Sequence, residues 1–100
     1  MQQKRKTRLR RRPAISRSNL AARKRDPKQE SRIRRQLGDR IRHWRKARGW
    51  SQEAFADCCG THRSYMGEIE RGKANLSIAT AVMVSRHLGV TASALFKGIA

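Results

Sequence analysis

Residues 51–72 read SQEAFADCCGTHRSYMGEIERG and carry the pattern that decides the fold. Glycine follows each of two short segments, at Gly60 and Gly72, and a serine precedes the first segment. Glycine has no Cβ and suits the left-handed position after a helix, whereas a hydroxyl before a helix can accept a hydrogen bond from a free backbone N–H. The pattern predicts two short helices, at about 52–59 and 62–71, joined by a tight turn at Gly60.

The same alternation of stop and start residues continues on both sides of this stretch. Glycine precedes a hydroxyl residue in four pairs, which are Gly49 with Ser51, Gly60 with Thr61, Gly72 with Ser77, and Gly89 with Thr91. No segment alternates β-branched and polar residues at a period of two, so strands are not expected. The predicted helices lie at about 37–48, 52–59, 62–71, 78–88 and 92–97.

Apolar residues recur at helical spacing within each predicted helix. In the first, Leu37, Ile41 and Trp44 lie at i, i+4 and i+7 and therefore share a face. One such stripe per helix predicts an all-α, five-helix domain around a single core. The other predicted core positions are Phe55, Ala56, Cys59, Met66, Ile69, Ile78, Ala81, Val84, Ser85 and Leu88, with Val90, Leu95 and Phe96 closing the base.

Positive charge is concentrated at the start of the chain. The chain has 25 Lys and Arg against 7 Asp and Glu, a net charge of +18, and residues 1–36 alone hold 15 of these bases and 2 acids. Few apolar side chains there offset the entropy of ordering the chain. We therefore expect residues 1–35 to form a basic, largely disordered arm before a domain at 36–98. The absence of Gly and Pro from residues 28–37 leaves an outward extension of the first helix open.

So large a positive charge predicts a polyanionic partner, which could be nucleic acid, an anionic membrane or an acidic protein surface. The longest apolar run, near residues 79–84, contains Thr80 and is too short to cross a bilayer. The charged N-terminus is not followed by the apolar segment of a secretion signal. We therefore expect a protein of the reducing cytoplasm without membrane contact, in which Cys58 and Cys59 remain thiols.

The sequence favours a binding protein over an enzyme. A core of about 60 residues leaves little room for a cleft that holds a nucleophile, a base and an electrophilic site. Cys58 and Cys59 lack the C-x-x-C spacing, and His62 follows them too closely for a structural zinc site. We expect Cys59 in the core and Cys58 partly exposed, and neither a cofactor, a metal nor a small-molecule ligand is predicted.

Several short motifs follow one another in register along the predicted helices. Through them, residues 37–96 resemble the phage-repressor and Cro (XRE) family of helix-turn-helix transcriptional regulators, and within it the controller proteins of restriction-modification systems. The motifs are Leu37-Gly38-x-x-Ile41-Arg42, Arg45-Lys46-Ala47-Arg48-Gly49-Trp50-Ser51-Gln52, Ala56 with Gly60, Ile69-Glu70-Arg71-Gly72-Lys73, Asn75-Leu76-Ser77 and Leu88-Gly89-Val90.

The resemblance implies sequence-specific binding to double-stranded DNA in the nucleoid, with helix 62–71 in the major groove. Arg63 and Ser64 match positions that contact base edges, and the planar guanidinium of arginine can bond guanine O6 and N7 together. Gln52 matches a glutamine that holds a phosphate beside the helix N-terminus. The full set of implied DNA-binding residues is Gln52, Thr61, His62, Arg63, Ser64, Gly67, Glu68, Arg71, Lys73 and Asn75.

The individual roles implied at the groove differ. Gly67 would let the helix backbone approach the groove, and Glu68 could accept a hydrogen bond from a cytosine amine or be only a solvated acid. Asn75 could contact DNA or order its own loop. The resemblance also implies an ion pair between Arg45 and Glu70.

Other details of the sequence concern the edges of the site. Ala74 stands where controller-like relatives often carry a basic residue, which would remove one phosphate contact. Tyr65 is expected to pack rather than contact DNA. The run KRKTRLRRR at residues 4–12 would bind phosphates without reading sequence, or be an incidental basic tail.

Partners and alternatives remain open from the residues alone. A short recognition helix reads few base pairs, so we expect a homodimer, with an interface formed by Leu95, Phe96, Ile99 and Met83. The alternatives to a DNA reader are a charge-driven RNA-binding protein and an antitoxin or adaptor that uses the same domain to bind protein.

Overall fold

The computed structural model describes residues 25–99 as an all-helical domain. Between these residues there is no strand, and none of the helices is long and apolar enough to span a membrane. The five helices are α1 (Pro27–Ala47), α2 (Gln52–Cys59), α3 (Arg63–Glu70), α4 (Ile78–Leu88) and α5 (Ala92–Phe96).

Helix α1 begins at Pro27, ten residues before the predicted start at Leu37. Asp26 caps it, since its carboxylate accepts a hydrogen bond of 3.0 Å from the backbone N–H of Lys28. Proline at the first helical position has a suitable φ and lacks a donor that would be unpaired there. The predicted disordered arm therefore does not extend to residue 35, because this start signal outweighs the low apolar content. The arm's remaining residues, 1–24, lie outside the described range.

Three of the predicted caps are confirmed. The hydroxyls of Ser51, Ser77 and Thr91 each accept a hydrogen bond of 3.0 Å from the backbone N–H three residues later. These bonds satisfy N–H groups that have no partner within the first turn of a helix. The starts of α2, α4 and α5 are thus fixed by local sequence.

The cap predicted at Thr61 is wrong, because His62 occupies the N-cap position of α3. Thr61 instead closes the preceding helix: its N–H donates to the carbonyl of Ala56 at 2.9 Å, beside the left-handed Gly60. This is the bonding pattern that commonly ends a helix at glycine. The turn between α2 and α3 therefore uses one residue more than predicted.

One face of every helix packs into the core. Phe55, Met66 and Leu95 are fully buried at its centre. Two predicted core residues lie outside it: Ile78 is 84% exposed and Phe96 is 42% exposed. Each lies at an end of its helix, where few neighbouring elements can cover a side chain. The remaining buried apolar residues are Leu37, Ile41, Ala56, Cys59, Ile69, Ala74, Ala81, Val84 and Leu88, and Trp44 and Val90 pack partly buried against the core.

Close backbone contact fixes α1 against α3. A Cβ at Gly38 would collide with the carbonyl oxygens of Ile69 and Glu70, lying 2.7 Å from the latter. The absence of a side chain at Gly38 thus allows the two helices to touch, and this contact holds α3 in a fixed orientation on the domain.

Candidate nucleic-acid interface

The two faces of α3 have opposite character. Met66 and Ile69 are buried in the core, whereas Arg63 and Ser64 are exposed on the other side. Glu68 is exposed as well, so its carboxylate is free to meet a partner. The sequence prediction of an outward polar face on this helix is confirmed at these positions.

A buried ion pair holds the C-terminal end of α3 to α1, as predicted. The Arg45 guanidinium donates through Nε to Glu70 Oε2 at 2.7 Å and through Nη2 to Glu70 Oε1 at 3.0 Å. Its third nitrogen, Nη1, donates to the carbonyl of Trp50 at 2.8 Å. The side chains are only 8% and 3% exposed, so each charge depends on the other for compensation.

Gln52 joins this pair from the first position of α2. Its Nε2 donates to Glu70 Oε1 at 3.1 Å, and the residue is half-buried. Glu70 therefore ties α1, α2 and α3 together at one point. The amide of Gln52 is oriented by that bond beside the N-terminus of α2, where backbone N–H groups favour an anion.

Gly67 differs from its predicted role. The residue is buried, because the position of a Cβ would lie 3.1 Å from Arg71 Nη1 and 3.4 Å from Gln52 Oε1. The side chains of Gln52 and Arg71 therefore cover this part of α3. In the structure the missing Cβ provides room for those two side chains rather than an open approach to the helix backbone.

An open cleft of about 460 Å³ lies where these side chains meet, and its walls include a residue that sequence reasoning missed. This residue, Arg42, lies one turn before Arg45 on α1. Residues three apart in a helix share a face, so the sequence could have placed Arg42 beside Arg45. Within residues 25–99, Glu70 compensates Arg45 while Arg42 and Arg71 pair with no carboxylate. The cleft is therefore positively charged. Its lining residues are Arg42, Arg45, Gln52, Glu70 and Arg71.

The loop after α3 is tied to α1. Asn75 Oδ1 accepts a hydrogen bond of 3.1 Å from Arg34 Nη1, which favours the loop-ordering role over a DNA contact. Lys73 is exposed, and its backbone N–H donates to the carbonyl of Glu68 at 2.8 Å. Ala74 is buried in the core cluster, so a long basic side chain would not fit in its place without moving the loop.

The helix-turn-helix family model HTH_3 matches residues 41–95. The chain belongs to this family. Its members are DNA-binding transcriptional regulators of the XRE type, which makes the chain a sequence-specific DNA-binding regulator and accounts for an exposed polar helix beside a cationic cleft.

The relatives include control proteins. The chain is 37% identical over 68 residues to "Control protein C.MunI" of a Mycoplasma species, covering 67% of this chain and 92% of that protein. It is 30% identical over 59 residues to "Control protein C.SmaI" of Serratia marcescens, covering 59% and 70%. The solved restriction-modification controller protein C.AhdI from Aeromonas hydrophila is 37% identical, with a TM-score of 0.60 over 62% of this chain and 94% of that one.

Two predicted contact residues lie in the turn before α3, and Tyr65 lies in the first turn of that helix. His62 is exposed at the start of α3, and Thr61 is half-buried because its hydroxyl donates to the carbonyl of Ala56 at 3.4 Å. Tyr65 packs half-buried against the core, which agrees with its predicted structural role. Of these three, His62 has the most accessible side chain.

The two cysteines of the HTH_3 domain differ as expected: Cys59 is buried and Cys58 exposed. Burial, and to a smaller degree the neighbouring Cys58, raises the pKa of the Cys59 thiol to about 11. The thiol is therefore neutral near pH 7 and packs as a small apolar side chain. Within the described residues, no three His, Cys, Asp or Glu side chains are grouped to hold a metal ion.

Proposed function

We propose that α3 is the recognition helix of this regulator and binds in the major groove of duplex DNA. In this proposal Arg63 and Ser64 contact base edges, Glu68 contacts a cytosine amine and His62 contacts a base or phosphate at the start of the helix. A major groove about 12 Å wide admits one α-helix, and each base pair presents a distinct pattern of donors and acceptors there.

Phosphate contacts complete the proposal on both sides of α3. Gln52 and the N-terminus of α2 would hold one phosphate, and Arg71 and Lys73 would hold others beside the loop that follows α3. Such contacts fix the register of a protein on the duplex but carry no sequence information. Thr61 and Asn75 would support the site mainly by ordering the two loops, since both side chains are engaged within the chain.

The observation that carries the proposal is the position of the cationic cleft directly beside the exposed face of α3. Arg71 belongs to both, because it lines the cleft and follows the last residue of α3. The relatives named as control proteins support a regulator of the controller type, and they favour DNA over RNA or an antitoxin partner.

Selection of bound sequences from a random duplex pool tests the proposal. At about 150–200 mM salt, a DNA reader should enrich one motif and bind it 10³-fold or more tightly than a scrambled duplex. A folded RNA of equal length serves as the competitor. Enrichment of no motif, together with equal competition by the RNA, would indicate binding by charge alone.

We further propose a homodimer whose interface differs from the one expected from sequence. Leu95 is fully buried in its own core and cannot contribute, and Met83 and Ile99 pack partly buried against that core. Ile78 and Phe96 are exposed and line the same apolar groove of about 350 Å³. Dimers of helix-turn-helix proteins bind two half-sites about one helical turn apart, and pairing would give this chain a second α3 for the second half-site.

A further inference from the structure

Three basic residues of α1 lie on one line along the helix. Lys28, Arg35 and Arg42 follow one another at intervals of seven residues, which is nearly two helical turns, and all three are exposed. We call them the α1 basic row. At 1.5 Å per residue the row extends over about 21 Å.

The charges of the α1 basic row are not compensated within the described part of the chain. Between residues 25 and 99, none of its three members forms an ion pair with a carboxylate, although Asp39 is exposed between two of them. By contrast Arg34, on another side of the helix, reaches Glu30 at 4.0 Å. The row is therefore available to an external anion.

The row begins at the cleft already described and continues away from it. Arg42 lines that cleft together with Gln52 and Arg71. Arg35 lies against the loop that follows α3, because a Cβ on Gly72 would be 2.8 Å from the Arg35 Cα. Lys28 lies two turns further toward the N-terminus of α1.

We propose that the α1 basic row binds DNA phosphates that flank the base pairs contacted by α3. The proposal rests on the DNA-binding role of α3 and extends its footprint. Phosphates of one strand repeat every 3.4 Å along the duplex axis and also wind around it, so the long, flexible side chains of the row would have to reach separate phosphates on a curved path. A row of about 21 Å that lies along the duplex axis would cover at most about six base pairs, and it would add affinity without adding sequence preference.

The test compares two double variants of the full chain with equal loss of charge. Lys28→Gln with Arg35→Gln removes two charges of the row, and Arg86→Gln with Lys97→Gln removes two exposed charges elsewhere. Each lost phosphate contact reduces the slope of log affinity against log salt by about 0.9, so the row variant should lose about 1.8 and the control almost nothing. Equal slopes for the two variants would overturn the proposal.

A second arm of the experiment uses duplex length. The wild type should bind the selected site more tightly when about six flanking base pairs are added. The added base pairs should increase the affinity of the row variant less than that of the control double variant. Equal gains would also overturn the proposal. Both variants should keep the wild-type preference for the selected site over a scrambled one. If the wild type did not prefer the selected site to a scrambled one, the role of α3 would be refuted. The salt slopes of the row variant and the control on the scrambled duplex would still decide the role of the α1 basic row.

Discussion

Two side chains on α3 have contrasting surroundings, so we expect one to contact base edges and the other to stabilise the domain. Arg63 is exposed on the outward face and Glu70 is buried at the other end of the helix. The first has no structural partner among the described residues, whereas the second bonds three nitrogen atoms from two helices. Substitutions at the two positions should therefore fail in different ways.

Replacing Arg63 with alanine should weaken binding to the selected site by about 1–3 kcal/mol and relax the preference at one base position. Binding to random DNA should change far less, because a base contact contributes little there. Arg86→Ala is the control, since it removes the same exposed side chain type from α4. Equal weakening on selected and scrambled duplexes in a binding titration would contradict the base-reading role.

Replacing Glu70 with glutamine should reduce the free energy of unfolding by about 3 kcal/mol, because Arg45 is left as a buried charge without its counter-ion. For a domain of this size the melting temperature should fall by at least about 12 °C. Glu68→Gln makes the same chemical change on the exposed face and should stay within about 0.5 kcal/mol of the wild type. Thermal melts that show similar losses for both variants would refute the structural role of the pair.

At the scale of elements, two glycines within helices differ in the atoms that a side chain would contact. Gly38 faces backbone carbonyls of α3 that cannot move independently, whereas Gly67 faces the ends of two flexible side chains. The same added methyl group should therefore destabilise the domain at Gly38 but not at Gly67.

Gly38→Ala should destabilise the domain by about 1–2 kcal/mol, since the forced separation of α1 and α3 outweighs the gain in helix propensity. Gly67→Ala should be neutral or stabilising by up to about 1 kcal/mol. It should nevertheless weaken DNA binding, because the methyl group displaces Gln52 and Arg71 from their positions over α3. Denaturant unfolding and duplex titration of both variants check this, and a stable Gly38→Ala domain would contradict the close helix contact.

At the scale of the whole molecule, the proposed dimer predicts that Ile78→Lys disrupts pairing without unfolding the domain. The residue is 84% exposed, so its replacement removes little of the core. Ala47→Lys adds the same charge at the exposed end of α1 and should leave pairing intact. Sedimentation of each variant, free and on a palindromic duplex, measures this. A wild type that is monomeric in both conditions would refute the dimer.

Removing residues 1–24 should weaken binding to all duplex DNA without changing which sequence is preferred. That segment carries 10 Lys and Arg and no Asp or Glu, so its loss should weaken binding to selected and scrambled duplexes by similar factors. The slope of log affinity against log salt should also become less steep. A deletion that changes which sequence is preferred would show that the segment contacts bases, for example in a minor groove.

The sequence by itself determined the elements of this protein. Helix ends at Gly60 and Gly89 and caps at Ser51 and Ser77 depend on residues within one turn, so local pattern was sufficient to predict them. The outward face of α3 followed from helical spacing in the same way. Even the missed start of α1 had a local signal, in the dipeptide Asp26-Pro27.

Only the tertiary structure decided which surfaces meet. The covering of Gly67, the bond from Arg34 to Asn75 and the place of Arg42 in the cleft each depend on contacts between different helices and the loops that join them. The exposure of Ile78 likewise depends on what lies beyond the end of α4. Periodicity gives the direction of a side chain relative to its own helix axis, but the position of that axis in the domain is set by packing among all the helices.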